Sequence, residues 1–368
     1  MKPPLTEHLT RLIIAQGPLP FDVFMEAALY HPQEGFYSSG QTRTGRTGDF
    51  LTPVSPGPVL GQLLARQADE LHQALGRPKR LRLIEQGADS GCLAKDLWGA
   101  IRLNHPELAR ASQLHLIEPL PRWMEKQRTA LRDTGVVVQW DSSWEKLPAD
   151  ETPCFFYSCE LVDSFPVRIF KYRGGKWREQ LVGIGSDGFQ WQEKEADAAS
   201  MAEIKKHNPP NTEGFTIELR SASSRWVQSW AKRISTGLVL TLDYGFPSTE
   251  LVSPRFSAGT LVALRNHQRT PHPLADPGQQ DLTAHVNFTE LEELAGQEGW
   301  KNYGLVDFAR GLTALAATLF KENPGLEDSW IRNFRHLTHP SFFGHTHKIL
   351  AQGKSLPPSF TPSIVTKV

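Results

Sequence analysis

Five short apolar runs, each closed by turn residues and separated by stretches of helical periodicity, constrain this chain more than any other feature. They are residues 81–87 (LRLIEQG), 113–119 (QLHLIEP), 136–140 (VVVQW), 154–160 (CFFYSCE) and 237–245 (GLVLTLDYG). A parallel sheet covered by helices on both faces requires near-continuous apolar runs, because an alternating strand would set polar groups against one helical layer. Between the first and second runs Leu93, Ala94, Leu97, Trp98 and Ile101 repeat at helical spacing, and a helix is predicted from Arg122 to Leu131 between the second and third. This β-α-β-α-β order implies a doubly wound α/β sheet with right-handed crossovers.

The flanks are of different character. Leu5, Leu9, Leu12 and Ile13, and then Phe21, Phe24, Met25, Ala28 and Leu29 after Pro18 and Pro20, predict two amphipathic helices. Residues 31–58 turn to Gly, Pro, Ser and Thr over a length that marks a functional or mobile loop rather than an ordinary connection. Leu60 to Leu75 is helical by pattern. Residues 168–192 alternate and turn at Gly174/Gly175 and Asp187/Gly188, which predicts an antiparallel meander inserted before the fifth strand. A second Pro-rich stretch, 246–290, leads to a helix over Phe288 to Gln297. The domain reading is therefore residues 1–75 as N-terminal helices and lid loop, 76–170 and 236–368 as the sheet core, and 171–235 as an inserted meander and helix on the substrate side.

Forty basic side chains balance forty acidic ones, so no overall basic footprint nominates nucleic acid or an anionic membrane as a partner. The three cysteines, Cys92, Cys154 and Cys159, match neither a disulfide framework nor a zinc knuckle. Pro, Glu and His interrupt the N-terminus where a signal peptide needs an apolar core, and no apolar run approaches the ~18 residues of a membrane span. These features lead to the expectation of a cytoplasmic protein with no membrane span.

In an open α/β sheet, ligands bind beyond the carboxyl ends of the strands near the point where strand order reverses. The first strand ends in Glu85-Gln86-Gly87-Ala88-Asp89-Ser90-Gly91-Cys92-Leu93. Gly87 and Gly91 allow a sharp turn and close approach of a ligand, and a helix starting near Gly91 offers free N–H groups to a carboxylate or phosphate. The spacing is not G-x-G-x-x-G, which counts against a dinucleotide. Glu118, closing the second strand, can accept both hydroxyls of a ribose. Glu160 and Asp163, three residues apart after the fourth strand, can grip a cation or simply cap the following turn. Asp243 and Tyr244 add an acid and a phenol after the fifth strand.

These residues, together with Pro20-Phe21, His31-Pro32 with Gly35-Phe36-Tyr37, Gly48-Asp49-Phe50, Gly259-Thr260-Leu261, His267 and the block Asp281-Leu282-Thr283-Ala284-His285-Val286-Asn287-Phe288, resemble the S-adenosylmethionine-dependent methyltransferases of the MidA type over most of the chain. Mitochondrial members of that family are complex I assembly factors that methylate an arginine. The resemblance implies a Rossmann-like class I methyltransferase sheet with N-terminal helices and an inserted antiparallel meander or lid region, and S-adenosyl-L-methionine as cofactor. It implies a protein substrate, a respiratory-complex subunit among the candidates, and a homodimer as a possible assembly. Among site residues, it implies that Asp49 and Phe50 fold over the cofactor, that Glu85, Gly87 and Gly91 form the methionyl turn, and that Glu118 holds the ribose with Asp141 near the adenine. Glu160 and Asp163 then orient the guanidinium, with His285 or Tyr244 near the departing proton.

Where the family's turn reads E-L-G-P-G-R-G-T-L, this chain has Asp89 at the middle glycine and Ser90 at the arginine. A left-handed backbone at Asp89 costs roughly 1 to 2 kcal/mol. Thr52-Pro53-Val54-Ser55 lacks a carboxylate the family carries. These departures set a non-catalytic assembly or interaction protein beside the active enzyme as the alternative function, with a dinucleotide oxidoreductase third. Histidines 336, 339, 345 and 347 are read as loop and strand residues, with no metal site; Cys92 is expected to pack in the helix-sheet seam, and Trp226 and Trp230 in the core. No G-x-S-x-G elbow of a serine hydrolase occurs.

Overall fold

All five apolar runs form strands, Leu81–Gln86, Ser112–Ile117, Val138–Asp141, Cys154–Cys159 and Gly237–Phe246, which are numbered first to fifth below. This computed structural model describes residues 4–39, 52–265, 268–322, 325 and 327–366. Two further strands, Lys301–Asp307 and His347–Lys354, complete a path in which the order is Lys301–Asp307, His347–Lys354, fifth, fourth, first, second, third. The five predicted strands pair parallel, and His347–Lys354 runs antiparallel to both its neighbours. Strand order reverses between the first and fourth strands, so the switch point lies where the first strand hands over to its helix. The first strand is buried along most of its length, as a central strand covered on both faces must be.

The chain divides into two compact units. The sheet unit comprises Thr52–Leu161, Trp226–Gly245 and Leu291–Val368. Its core gathers Leu60, Leu63 and Leu64 of the helix Val59–Ala74, Leu97 and Ile101 of the helix Cys92–Asn104, and strand residues such as Leu83, Phe155 and Leu240. Trp230 is fully buried, with its ring centroid 4.9 Å from that of Trp300, as its helical spacing with Trp226 leads one to expect.

The second unit comprises Met1–Leu51, Val162–Arg225 and Phe246–Glu290. Its N-terminal helices are Pro4–Gln16 and Phe21–Tyr30, and Leu5, Leu9, Phe21, Phe24 and Met25 bury the predicted apolar faces in its core. The meander forms as expected: Arg168–Arg173, Lys176–Gly185 and Gly188–Glu195 pair antiparallel in sequence. Gly174 and Gly175 make its first turn with φ of 59° and 80°, a left-handed conformation that costs glycine nothing.

Candidate functional site

The turn after the first strand lies wholly in the sheet unit. Gly87, Asp89 and Gly91 all have positive φ, at 78°, 46° and 84°. Asp89 thus adopts the left-handed backbone that a glycine would take, and the turn closes despite the substitution. A Cβ at Gly87 would meet Leu161 Cδ1 at 3.0 Å, and one at Gly91 would sit 3.3 Å from Gln127 Cα, so a side chain at either position would crowd its neighbour as well as strain a positive φ. Gly91 begins the helix Cys92–Asn104, whose N-terminus carries no side-chain cap. Among the described residues its first-turn N–H groups have no side-chain acceptor, the condition in which a helix N-terminus receives an anion.

Glu118, at the neighbouring strand end, is 5% exposed. Its Oε1 accepts the Leu120 N–H at 2.9 Å and its Oε2 accepts Gln127 Nε2–H at 3.1 Å. A carboxylate has about four lone-pair sites, so capacity remains for a diol. Burial pushes the Glu118 carboxyl up to about 7, with the Asp89 charge adding to it and its two hydrogen bonds opposing. An uncapped helix N-terminus and a poised carboxylate at adjacent strand ends suit a ligand carrying both an anionic head and a ribose.

The other expected cofactor residues differ in their engagement. Glu85 is 2% exposed and accepts the Tyr157 hydroxyl at 2.9 Å; burial pushes it up to about 8. It is a neutral buried acid at pH 7. Asp141 Oδ2 lies 3.1 Å from His115 Nδ1, and burial holds that imidazole below its ordinary pKa, so a neutral ring donates to the carboxylate. Asp49, Phe50, Gly48 and His267 lie outside the described residues.

Of the four expected catalytic residues, Glu160 and Tyr244 belong to the sheet unit, whereas Asp163 and His285 belong to the other. Glu160 is held at φ 50°, and its Oε1 lies 2.8 Å from His347 Nε2. A non-glycine residue in the left-handed region costs energy and concentrates at functional positions. The Tyr244 ring centroid lies 5.4 Å from that of His347. Asp243 is fully buried and serves the backbone: its Oδ2 accepts the Leu161 N–H and its Oδ1 the Tyr244 N–H.

In the second unit Asp163 is buried, and the His285 ring packs against Phe246 and Phe256 with centroids 5.5 and 5.3 Å away. Sequence reasoning missed the residue that organises them. Arg220, 5% exposed, donates to the carbonyls of Asp163 and Ala284 through Nη2, of His285 through Nη1 and of Phe165 through Nε. One guanidinium thereby clamps the Asp163 and His285 segments, and the Ala284 N–H donates back to the Asp163 carbonyl at 3.0 Å. Tyr30 lies 2.7 Å from Ser164 Oγ, and the Tyr37 hydroxyl donates to Asp281 Oδ1 at 2.8 Å, which gives the aromatic residues of the His31 to Tyr37 segment and its approach a local role.

Cys92 corrects an expectation. It is exposed on the first helical turn, with Ser90 Oγ 3.4 Å from its sulfur, rather than packed in the seam. The helix stripe that faces the sheet is carried by Leu93, Ala94, Leu97 and Ile101, and position 92 falls off it. His345 lies 3.4 Å from Asp307, so two of the clustered histidines have acidic partners in the sheet unit.

A family profile for S-adenosyl-L-methionine-dependent methyltransferases matches residues 63–306. Among curated proteins, the zebrafish (Danio rerio) "Protein arginine methyltransferase NDUFAF7, mitochondrial" is 26% identical, across 80% of this chain and 72% of its own. The Bos taurus protein of the same name is 25% identical across 95% of this chain and 83% of its own. Among solved structures, a Burkholderia thailandensis protein crystallised with S-adenosyl-homocysteine superimposes with a TM-score of 0.86 at 26% identity, covering 98% of this chain and 94% of the other. The expected class I methyltransferase fold and cofactor are borne out by these likenesses. The expected cytoplasmic location is not: the curated relatives are named as mitochondrial. A low cysteine count records only that no disulfide framework is needed, and it does not distinguish one reducing compartment from another.

Proposed function

We propose, from the premise that this chain belongs to the S-adenosyl-L-methionine-dependent methyltransferase family matched over residues 63–306, that it methylates an arginine side chain of a protein. The cofactor supplies a methyl group made electrophilic by its sulfonium. In this reading the turn from Gly87 to Gly91 and the uncapped helix behind it receive the methionyl carboxylate, Glu118 holds the ribose hydroxyls, and Asp141 stands near the adenine. The resemblance assigns Asp49 and Phe50, outside the described residues, to the cofactor site as well. The observation that carries the reading is the pairing of an uncapped helix N-terminus at a glycine turn with a buried, hydrogen-bonded Glu118 on the next strand.

Methyl transfer to nitrogen is an in-line displacement, so the protein contributes mainly alignment and exclusion of water. A guanidinium stays charged at neutral pH, its pKa being above 12, and its nucleophilic nitrogen must be oriented by groups that hold the cation. Glu160 and Asp163 take that role through charge-assisted, bidentate-capable hydrogen bonds. In this reading His285 or Tyr244 stands near the proton that leaves the methylated nitrogen, and of the two a neutral imidazole is the group able to take it up. The inserted meander belongs to the substrate side and the acceptor is a respiratory-complex subunit; both rest on the resemblance.

The test is transfer of radiolabelled methyl from S-adenosylmethionine to proteins of a mitochondrial extract, followed by amino-acid analysis of the labelled band. Methylarginine is expected, and Glu160→Gln should slow transfer roughly a hundredfold while leaving cofactor affinity intact. Label on lysine, on a carboxyl group or on a small molecule refutes the arginine assignment.

A further inference from the structure

We infer that Gln127 is the positioning residue of the cofactor crevice, the single amide that fixes Glu118 relative to the glycine turn. The inference rests on the reading that Glu118 holds the ribose. Gln127 is fully buried in the helix Pro121–Leu131. Its Nε2 donates to the Asp89 carbonyl at 3.0 Å and to Glu118 Oε2 at 3.1 Å, and its Oε1 accepts the Trp140 indole N–H at 3.1 Å. The partners assign the amide without ambiguity, because its nitrogen faces two acceptors and its oxygen faces a donor.

Three parts of the crevice are therefore tied to one side chain. The turn is held at Asp89, the residue that has no glycine to ease its left-handed backbone. The ribose carboxylate is held at one oxygen, while the Leu120 N–H holds the other. The indole of Trp140, in the third strand, fixes the amide plane. Contact is also direct, since any side chain at Gly91 would press on Gln127 Cα and Cγ. A carboxylate can accept two vicinal hydroxyls at once only if its plane is fixed, and among the described residues rotation of the Glu118 carboxylate is restrained by two donors, the Leu120 N–H and Gln127. Loss of the Gln127 donor leaves a buried carboxylate oxygen and the Asp89 carbonyl to find other partners.

A purely structural role would weaken every ligand alike, whereas positioning of Glu118 governs recognition of the ribose. Calorimetric titration of the full chain with S-adenosyl-homocysteine and its 2′-deoxyribose analogue separates the two. The intact protein should prefer the ribose compound at least tenfold, and Glu118→Ala should abolish that preference. Gln127→Met, which keeps length and burial, should reduce the preference to threefold or less. Trp140→Phe, a milder change should Gln127→Met fail to fold, should lower it severalfold, since the amide loses its third anchor. If folded Gln127→Met or Trp140→Phe protein keeps the full preference while Glu118→Ala loses it, the positioning role is overturned and the ribose role of Glu118 stands. If Glu118→Ala keeps the preference, the ribose reading itself fails, and the inference with it.

Discussion

Replacing Glu85 by glutamine should make the protein less sensitive to rising pH between about 4.5 and 8. Burial pushes the Glu85 carboxyl from 4.5 up to about 8, the Asp89 and Asp96 charges adding to the shift and the Tyr157 hydroxyl opposing it. Between those two pH values the folded protein keeps a proton on Glu85 that the unfolded chain has released, so stability is full below 4.5 and is lost as pH rises through about 8. Each pKa unit is worth about 1.36 kcal/mol, and integrating the proton difference from pH 5.5 to 7.5 gives a loss of about 2 to 3 kcal/mol from this one group. Glutamine mimics the protonated acid, still accepts the Tyr157 hydroxyl and does not titrate. The stability of Glu85→Gln relative to the unsubstituted protein should thus rise by about 2 to 3 kcal/mol across that interval, read from urea unfolding at the two pH values with m held constant. A relative stability that moves by less than about 0.5 kcal/mol means that Glu85 is ionised in the fold, and the burial argument is wrong.

Two further outcomes follow from the same geometry. Cofactor affinity should rise with pH through about 7 as Glu118 ionises, and Asp89→Asn, which removes the charge that helps raise Glu118, should move that midpoint to lower pH; a midpoint unmoved or shifted upward in a calorimetric pH series contradicts it. Arg220→Lys should cost about 2 to 4 kcal/mol, because three donors on a flexible stem cannot replace a guanidinium spread over four carbonyls. It should also slow methyl transfer with little effect on S-adenosyl-homocysteine affinity, and equal losses in both would place Arg220 outside the acceptor machinery.

The sheet was legible because its chemistry is local. A strand buried on both faces has to be apolar throughout, so the runs at 81, 113, 154 and 237 announce themselves, and the Gly174/Gly175 turn announces the meander. What periodicity did not carry was the burial inside the closing strand His347–Lys354, where Lys348 and Gln352 are buried within a run whose pattern does not declare them. Lys348 forms a salt bridge with Asp307 and donates to the His345 carbonyl, and Gln352 donates to Asn302 Oδ1 at 2.6 Å. Their burial is made tolerable by partners distant in sequence, information that hydrophobic periodicity does not carry.

The site divides along the same line. Residues proposed to meet a ligand through turn geometry, such as Gly87 and Gly91, leave a mark in the sequence because their positive φ and close neighbours both favour glycine. Residues that act by holding other residues leave a subtler one. Gln127 falls between Trp123 and Leu131 at intervals of four, a polar group set into the stripe its helix buries. A buried amide there is destabilising unless all its hydrogen bonds are made, so its position predicts a network even before the partners are known. Arg220 has no such mark, since it follows a four-residue strand, Thr216–Leu219, too short to establish a face. The physical distinction is that a stripe supplies a local expectation for a polar residue to violate, whereas a loop supplies none, and only the folded chain reveals which carbonyls a loop arginine has gathered.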